Sequence, residues 1–346
     1  MPPDGPSLDE LRAETDGALR VFLAERRRYL PEAAPLIDEL QLMIDRGGKR
    51  LRPAFCYWGH RAAGGEHTAR CIRAAASLEL LHTFAIVHDD IMDASPTRRG
   101  APSIHTERGI PVGILAGDLA LVLADHLFIT SGLPSECVLR AFDAYSRMRQ
   151  EVIAGQYLDV RSASASVPTA IEARRLAVLK SALYTVEEPL LIGALLAGAS
   201  ADALSGWSGF ARPLGEAFQL ADDISGVFGD PGEVGKPVDS DIREGKRHLL
   251  FVYAVEGSSA EEREALLEGW GKGDALSEAD VADLARLVER SGARAKVEGL
   301  IAELTAAAAS ALTSLDIAES ARLPLHDLAA RAVHPYPWPG PSRGAA

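Results

Sequence analysis

Apolar residues recur at helical spacing through almost the whole chain, and that pattern limits the fold more than any other feature. Segments 8–29, 35–46, 53–63, 69–93, 112–130, 137–160, 169–199 and 210–227 carry it, as do 248–255, 260–270, 278–291 and 293–314. Ala and Leu, which favour helices, dominate these segments. Val/Ile/Thr alternation of the strand type is nearly absent. The breakers fall between segments, at Gly47-Gly48, Gly64-Gly65, Pro96, Pro134, Pro168 and residues 229–237. The expectation is an all-α, single-domain helical bundle over residues 8–333. Residues 1–7 read as a disordered N-terminus and 334–346 as a loose Pro/Gly-rich tail.

The bulk numbers narrow the function. A chain of 346 residues with 47% hydrophobic and 25% charged residues is ordinary for a soluble globular protein. A net charge of −13 argues against a nucleic-acid partner, because binding a phosphate backbone needs basic surface. Local basic spots at residues 46–52, 98–99 and 243–247 suit small anions instead. Cys56, Cys71 and Cys137 show no C-x-x-C spacing and read as reduced thiols rather than a disulfide frame or zinc site. No secretory signal is evident at residues 1–11, and no window reaches the roughly 18 unbroken apolar residues of a membrane span. The best candidate, 189–199, is too short, so a cytoplasmic protein without a transmembrane segment is expected.

Two acidic clusters interrupt apolar helical sequence: Asp89-Asp90-Ile91-Met92-Asp93 and Asp222-Asp223. Carboxylates in such surroundings are unfavourable unless something binds them. On a helix, His82, Asp89 and Asp93 share one face, and Asp89 and Asp93 are i, i+4 neighbours that repel unless a cation lies between them. Mg²⁺ suits oxygen ligands and a phosphorylated partner. A solvated acidic helix end is the alternative, although residues 80–87 are too apolar for an exposed helix. Asp222-Asp223, with Gln219 one turn before, reads by itself as ordinary acidic residues near a helix end. Gly47-Gly48-Lys49-Arg50-Leu51-Arg52-Pro53 places three cations at a helix start, a place that binds phosphate readily. Taken alone it reads better as a solvated basic loop. Arg98-Arg99-Gly100, Lys180-Ser181, Lys236 and Lys246 each read singly as surface polarity or charge.

In combination these stretches resemble the trans-isoprenyl diphosphate synthases, or polyprenyl synthetases. The match runs from about residue 47 to residue 250, in the order GGKRLRP, ELLHTFAIVHDDIMD, RRG, GQYLD, KS, FQLADD and GKPVDSDIREGK. The resemblance implies a helical bundle around a deep central cavity, usually a homodimer. It implies Mg²⁺-dependent condensation of isopentenyl diphosphate with an allylic diphosphate (dimethylallyl, geranyl or farnesyl). By the same resemblance Asp89 and Asp93 hold two of three Mg²⁺ ions with Asp90 in support. Asp222 holds the third, with Asp223 in its outer shell. Arg98, Lys180, Lys236 and Lys246 face the allylic diphosphate, while Lys49, Arg52, His82 and Arg99 face isopentenyl diphosphate. Ser181 and Gln219 face the reacting carbocation, and Gln156 matches a pocket position.

Two departures stand out. Gly226 occupies the place of the last aspartate of the second motif, and Ala182 stands where glycine is common. By the same resemblance Ala85 and Phe84, four and five residues before Asp89, with Leu81 one turn deeper, set product length. Their combination points to geranylgeranyl diphosphate, with farnesyl diphosphate next. Without the resemblance Phe84 reads simply as an aromatic that packs the core. A class I terpene cyclase and a non-catalytic partner subunit are the rival readings. The GGKRLRP and RRG matches oppose the first, and the retained charged residues oppose the second.

Overall fold

The computed structural model describes residues 5–162, 166–200, 202–229 and 239–339. Among them the helices are α1 (Leu8–Tyr29), α2 (Ala34–Asp45), α3 (Leu51–Ala62), α4 (Ala69–Met92), α5 (Ile104–Arg108), α6 (Ile110–Ile129), α7 (Ser135–Ser162) and α8 (Ala170–Ala177). They continue with α9 (Glu188–Leu196), α10 (Trp207–Phe228), α11 (Ser240–Glu244), α12 (Leu249–Gly257), α13 (Ala260–Gly269), α14 (Glu278–Arg290), α15 (Ala293–Ser314) and α16 (Glu319–Val333). Between α8 and α9 the chain stays helical but widens into a π-helix, Val178–Glu187. The all-helical expectation holds.

Local sequence sets the boundaries. Ser7/Glu10, Thr169/Glu172, Ser259/Glu262 and Ser277/Asp280 form reciprocal capping boxes that satisfy the first amides of α1, α8, α13 and α14. α4 is apolar on nearly every side and is buried from Cys71 to Leu81 apart from Arg73, so it runs through the interior. α6 packs along α4, α9 along α3, and α15 along α10. Trp58, Tyr57, Tyr145, Phe128 and Phe210 are fully buried between these layers.

Several expectations need correction. Ser7 belongs to the α1 cap, so the N-terminal segment is structured from at least that residue, and residues 1–4 lie outside the described residues. Tyr336 and Trp338 pack on the core, and Trp338 Nε1 donates to His326 Nδ1 at 3.0 Å. The supposed tail is therefore anchored there by two aromatics, while 340–346 lie outside the described residues. α16 was not among the expected segments; it carries Pro324 inside the helix. A two-residue hairpin, β1 (Thr97–Arg98) paired antiparallel with β2 (Ala101–Pro102), interrupts the helices after α4. α6 is long and apolar enough to cross a membrane by length and composition, although 44% of its most apolar window is buried inside the fold. Asp118 and Asp125 break the run, which is why a search for unbroken apolar stretches passes over it.

Candidate functional site

The first acidic cluster closes α4. Asp89 and Asp90 lie in its last turn and Asp93 is its C-cap. This is the negative end of the helix dipole, where carboxylates are least favoured. No basic residue in that turn offsets them, so cations must come from other elements. Lys180 Nζ donates to Asp89 Oδ1 at 3.1 Å. Lys246 Nζ pairs with Asp93, and Arg98 pairs with Asp90 through Nε at 2.8 Å. Gln156 Nε2 donates to Asp89 Oδ1 at 3.0 Å.

Asp159, on α7, completes the cluster. It pairs with Lys180 and accepts from Lys246 at 3.3 Å. Oxygens of Asp89, Asp93 and Asp159 lie within 4.8 Å of one another. An all-carboxylate, half-buried donor set of that size fits a hard divalent cation such as Mg²⁺. Burial works against the charge on Asp89, but Lys180, Lys246 and Arg98 outweigh it and hold its pKa down to about 2. Burial pushes Asp90 up to about 6, and it also raises Asp93, helped by the Asp89 charge. Asp90 Oδ2 is buried without a hydrogen-bond partner among the described residues.

The supporting backbone is specialised. Lys180 and Ser181 sit in the π-helical segment, whose neighbours α7 and α10 approach it through glycines. A Cβ on Gly155 would stand 2.5 Å from the Lys180 amide nitrogen, and one on Gly215 would stand 2.5 Å from the Ala182 carbonyl oxygen. π-Helical turns are frequent at functional sites because they re-aim side chains. Arg98 and Arg99 are aimed by the β1–β2 turn. Arg99 (φ 53°) and Gly100 (φ 72°) both take the left-handed conformation of a tight two-residue hairpin, which explains the glycine after the arginine pair.

A basic group adjoins the carboxylates. Arg52 donates to Thr185 Oγ1 at 2.8 Å, and its guanidinium lies 4.0 Å from the Tyr184 ring centroid. Tyr184 Oη and His82 Nδ1 are 2.7 Å apart. Burial, then Arg52, Arg99, Arg98 and Arg50, drive the His82 pKa well down, so the ring is neutral near pH 7. With the tyrosine hydroxyl donating to Nδ1, the ring proton sits on Nε2 and can be donated onward. Arg99 donates to the Met43 carbonyl at 2.9 Å and lies 3.7 Å from Glu79.

Not every expected residue joins these groups. Lys49 is exposed and lines a separate cavity of about 480 Å³ with Arg12, Arg50, Arg331, Leu8 and Leu328. Arg50, the middle one of the three cations in that loop, turns inward to a buried pair with Glu79 and a 2.7 Å contact with Asp16. The second acidic cluster lies on α10. Asp222 is exposed, whereas Asp223 is buried, takes the Gln219 amide at 2.6 Å, and is pushed up to about 6 by burial. Lys236 lies outside the described residues.

The sequence model of the family described as Polyprenyl synthetase matches residues 34–288. The chain belongs to that family. A geranylgeranyl diphosphate synthase of Sulfolobus acidocaldarius is 39% identical over 268 residues, 74% of this chain and 79% of that protein. A (2E,6E)-farnesyl diphosphate synthase of Mycobacterium tuberculosis is 37% identical over 251 residues, 71% of this chain and 68% of that protein. Among solved structures, the geranylgeranyl pyrophosphate synthase of Corynebacterium glutamicum, complexed with isoprenyl diphosphate and magnesium, superposes with a TM-score of 0.91. It shares 35% identity and covers 95% of this chain and 99% of that one. This polyprenyl synthetase is a prenyltransferase.

Sequence reasoning passed over Asp159, Tyr184 and Thr185. Asp159 had a signal, since it is spaced i, i+3 from Gln156 on one face of α7. Tyr184 and Thr185 had none, because an apolar stretch with one tyrosine looks like core. Only the widened π-turn shows which of its side chains meet Arg52 and His82.

Proposed function

We propose that this polyprenyl synthetase condenses isopentenyl diphosphate with an allylic diphosphate to give geranylgeranyl diphosphate. The carrying observation is the meeting of Asp89, Asp93 and Asp159 with Lys180 and Lys246. Bound magnesium would supply positive charge to the leaving diphosphate; Asp89, Asp93 and Asp159 would hold it on one side, with Asp222 and Asp223 on the other. Three ions are the expected complement. Lys180, Lys246 and Arg98, with Lys236, exchange their carboxylate partners for diphosphate oxygens. The allylic C–O bond then breaks and its electron pair leaves with the diphosphate. Arg52, Arg99 and neutral His82 orient isopentenyl diphosphate so that its double bond attacks C1 of the allylic cation. A proton passes from the isopentenyl unit to the departing diphosphate. Ser181 and Gln219 line the path of the cation.

Product length is read from α4. The Phe84 ring stands edge-on to His88, 5.0 Å between centroids, and His88 Nε2 is 3.1 Å from the Ile114 carbonyl oxygen of α6. Phe84 is thereby buttressed as a wall one turn below the carboxylates, while Ala85 leaves room beside it. A farnesyl product is the second reading, favoured by the 37% identity to an enzyme named for it. The enzyme is proposed to be a cytoplasmic homodimer. Its three cysteines are unpaired thiols, and α6 presents an apolar stripe of Leu115, Val122 and Ile129 to the outside.

Incubating purified protein with Mg²⁺, isopentenyl diphosphate and dimethylallyl, geranyl or farnesyl diphosphate tests the assignment. A geranylgeranyl product by mass spectrometry supports it, and a farnesyl end product selects the second reading. Folded protein that extends no starter overturns it.

A further inference from the structure

Lys246 reaches the carboxylates from a stretch that has no helix of its own. α11 ends at Glu244 and α12 begins at Leu249, so no helical hydrogen-bond ladder fixes the backbone at Lys246. Its ammonium nevertheless meets Asp93 of α4 and Asp159 of α7. A flexible four-carbon stem keeps such an aim when its own backbone is held. The hold comes from residues 270–276, the connection between α13 and α14. Trp270 Nε1 donates to the Lys246 carbonyl at 3.1 Å. The next amide along, that of Gly271, donates to the Ile242 carbonyl at 2.9 Å. Arg243 Nη1 donates to the Leu276 carbonyl at 2.7 Å. The connection thus grips the turn on both sides of Gly245, where α11 ends in the left-handed conformation (φ 76°).

The grip is close because two glycines stand back to back. A Cβ on Gly245 would lie 2.9 Å from the Gly271 Cα, and one on Gly271, itself at φ 83°, would lie 3.1 Å from the Gly245 Cα. Both contacts are with backbone, so no side chain can swing aside to relieve them. Trp270 is fixed in turn. It is 8% exposed, and its ring centroid lies 4.8 Å from that of Phe251 on α12. A core tryptophan could spend its N–H on any acceptor; this one spends it on the residue that carries the ammonium.

We propose that Trp270 and Gly271 are positioning residues for Lys246, so that the α13–α14 connection clamps the turn after α11 and fixes the ammonium that meets the allylic diphosphate. The proposal rests on the reading above, in which Lys246 exchanges its carboxylates for diphosphate oxygens. Both residues act through the backbone of that turn.

The test is calorimetric titration of the full-length protein with inorganic pyrophosphate in the presence of Mg²⁺. Trp270→Phe keeps an aromatic ring and removes the N–H, and it should weaken pyrophosphate binding by about three- to tenfold, the worth of one such hydrogen bond. The loss should vanish in a Lys246→Ala background, because the clamp then has no ammonium to aim. Gly271 is exposed, and Gly271→Ala should show the same dependence on Lys246 through its left-handed φ and its contact with Gly245. This arm decides if Trp270→Phe fails to fold by circular dichroism. Wild-type pyrophosphate affinity in the folded variant overturns the proposal. So does an equal loss with and without the Lys246 side chain, which is the signature of a purely structural role. Wild-type protein that binds no pyrophosphate, or Lys246→Ala that binds it as tightly as wild type, overturns the reading of Lys246 itself, and the proposal with it.

Discussion

Lys49 and Arg50 are neighbours in one basic loop, yet their surroundings separate them. Arg50 is buried, left-handed in backbone (φ 51°), and bonded to Glu79, Asp16 and the Ile44 and Gly47 carbonyls. Removing it leaves Glu79 buried without its main cation. Arg50→Ala should therefore destabilise the fold by about 3–5 kcal/mol in urea unfolding. Lys49 is exposed, so Lys49→Ala should shift stability by less than about 0.5 kcal/mol in the same assay. His82 gives a pH signature. Its folded pKa lies below the ordinary value of 6.5, so the unfolded chain takes up the proton first. Stability is retained above about pH 6.5 and falls as the pH drops below it. The difference in urea midpoint between pH 7.5 and 5.5 should shrink in His82→Gln relative to wild type.

At the scale of elements, the π-helical segment is what places Lys180 beside two carboxylates from different helices. Its close backbone contact with Gly155 makes a definite demand on α7. Gly155→Ala should cost about 1–3 kcal/mol through overpacking. It should also lower turnover more than another α7 change of equal stability cost, as checked by kinetics alongside thermal melts. The sequence made some of this legible. The capping serines and threonines mark where α1, α8, α13 and α14 begin, and the acidic run marks the end of α4, because these signals are local. The π-turn was not legible, because hydrogen-bond register within an evenly apolar stretch depends on what packs against it. α16 lies beyond the last segment read as helical, which ended at residue 314. Asp159 closes the GQYLD stretch, but its role was not legible because its partners Lys180 and Lys246 lie far off in the chain. Lys49 and Arg50 illustrate the converse, since one basic motif held both a surface residue and a core ion pair.

For the molecule as a whole, the outward face of α6 presents an apolar stripe that nothing among the described residues covers. Leu115 is 55%, Val122 62% and Ile129 53% exposed on one helical stripe, against an interior face packed on α4. A homodimer that covers this stripe should dissociate when a charge is placed in it. Val122→Glu is expected to elute as a monomer in size-exclusion chromatography with light scattering, with helical circular dichroism retained. An unchanged elution would place the interface on another face.

The pairing of Lys180 and Lys246 with Asp89, Asp93 and Asp159 has a thermodynamic consequence. The two ammonium groups compensate all but one of the three carboxylate charges, so the centre is an ion exchanger at rest. A metal arriving alone must displace ammonium groups that then lack partners, and a diphosphate arriving alone must strip lysines from carboxylates that then repel. Arriving together, each takes the partner the other releases. Magnesium and pyrophosphate should therefore bind with positive cooperativity. Calorimetric titration of either should show at least about a fivefold gain in affinity when the other is present, and by linkage the gain must be the same in both directions.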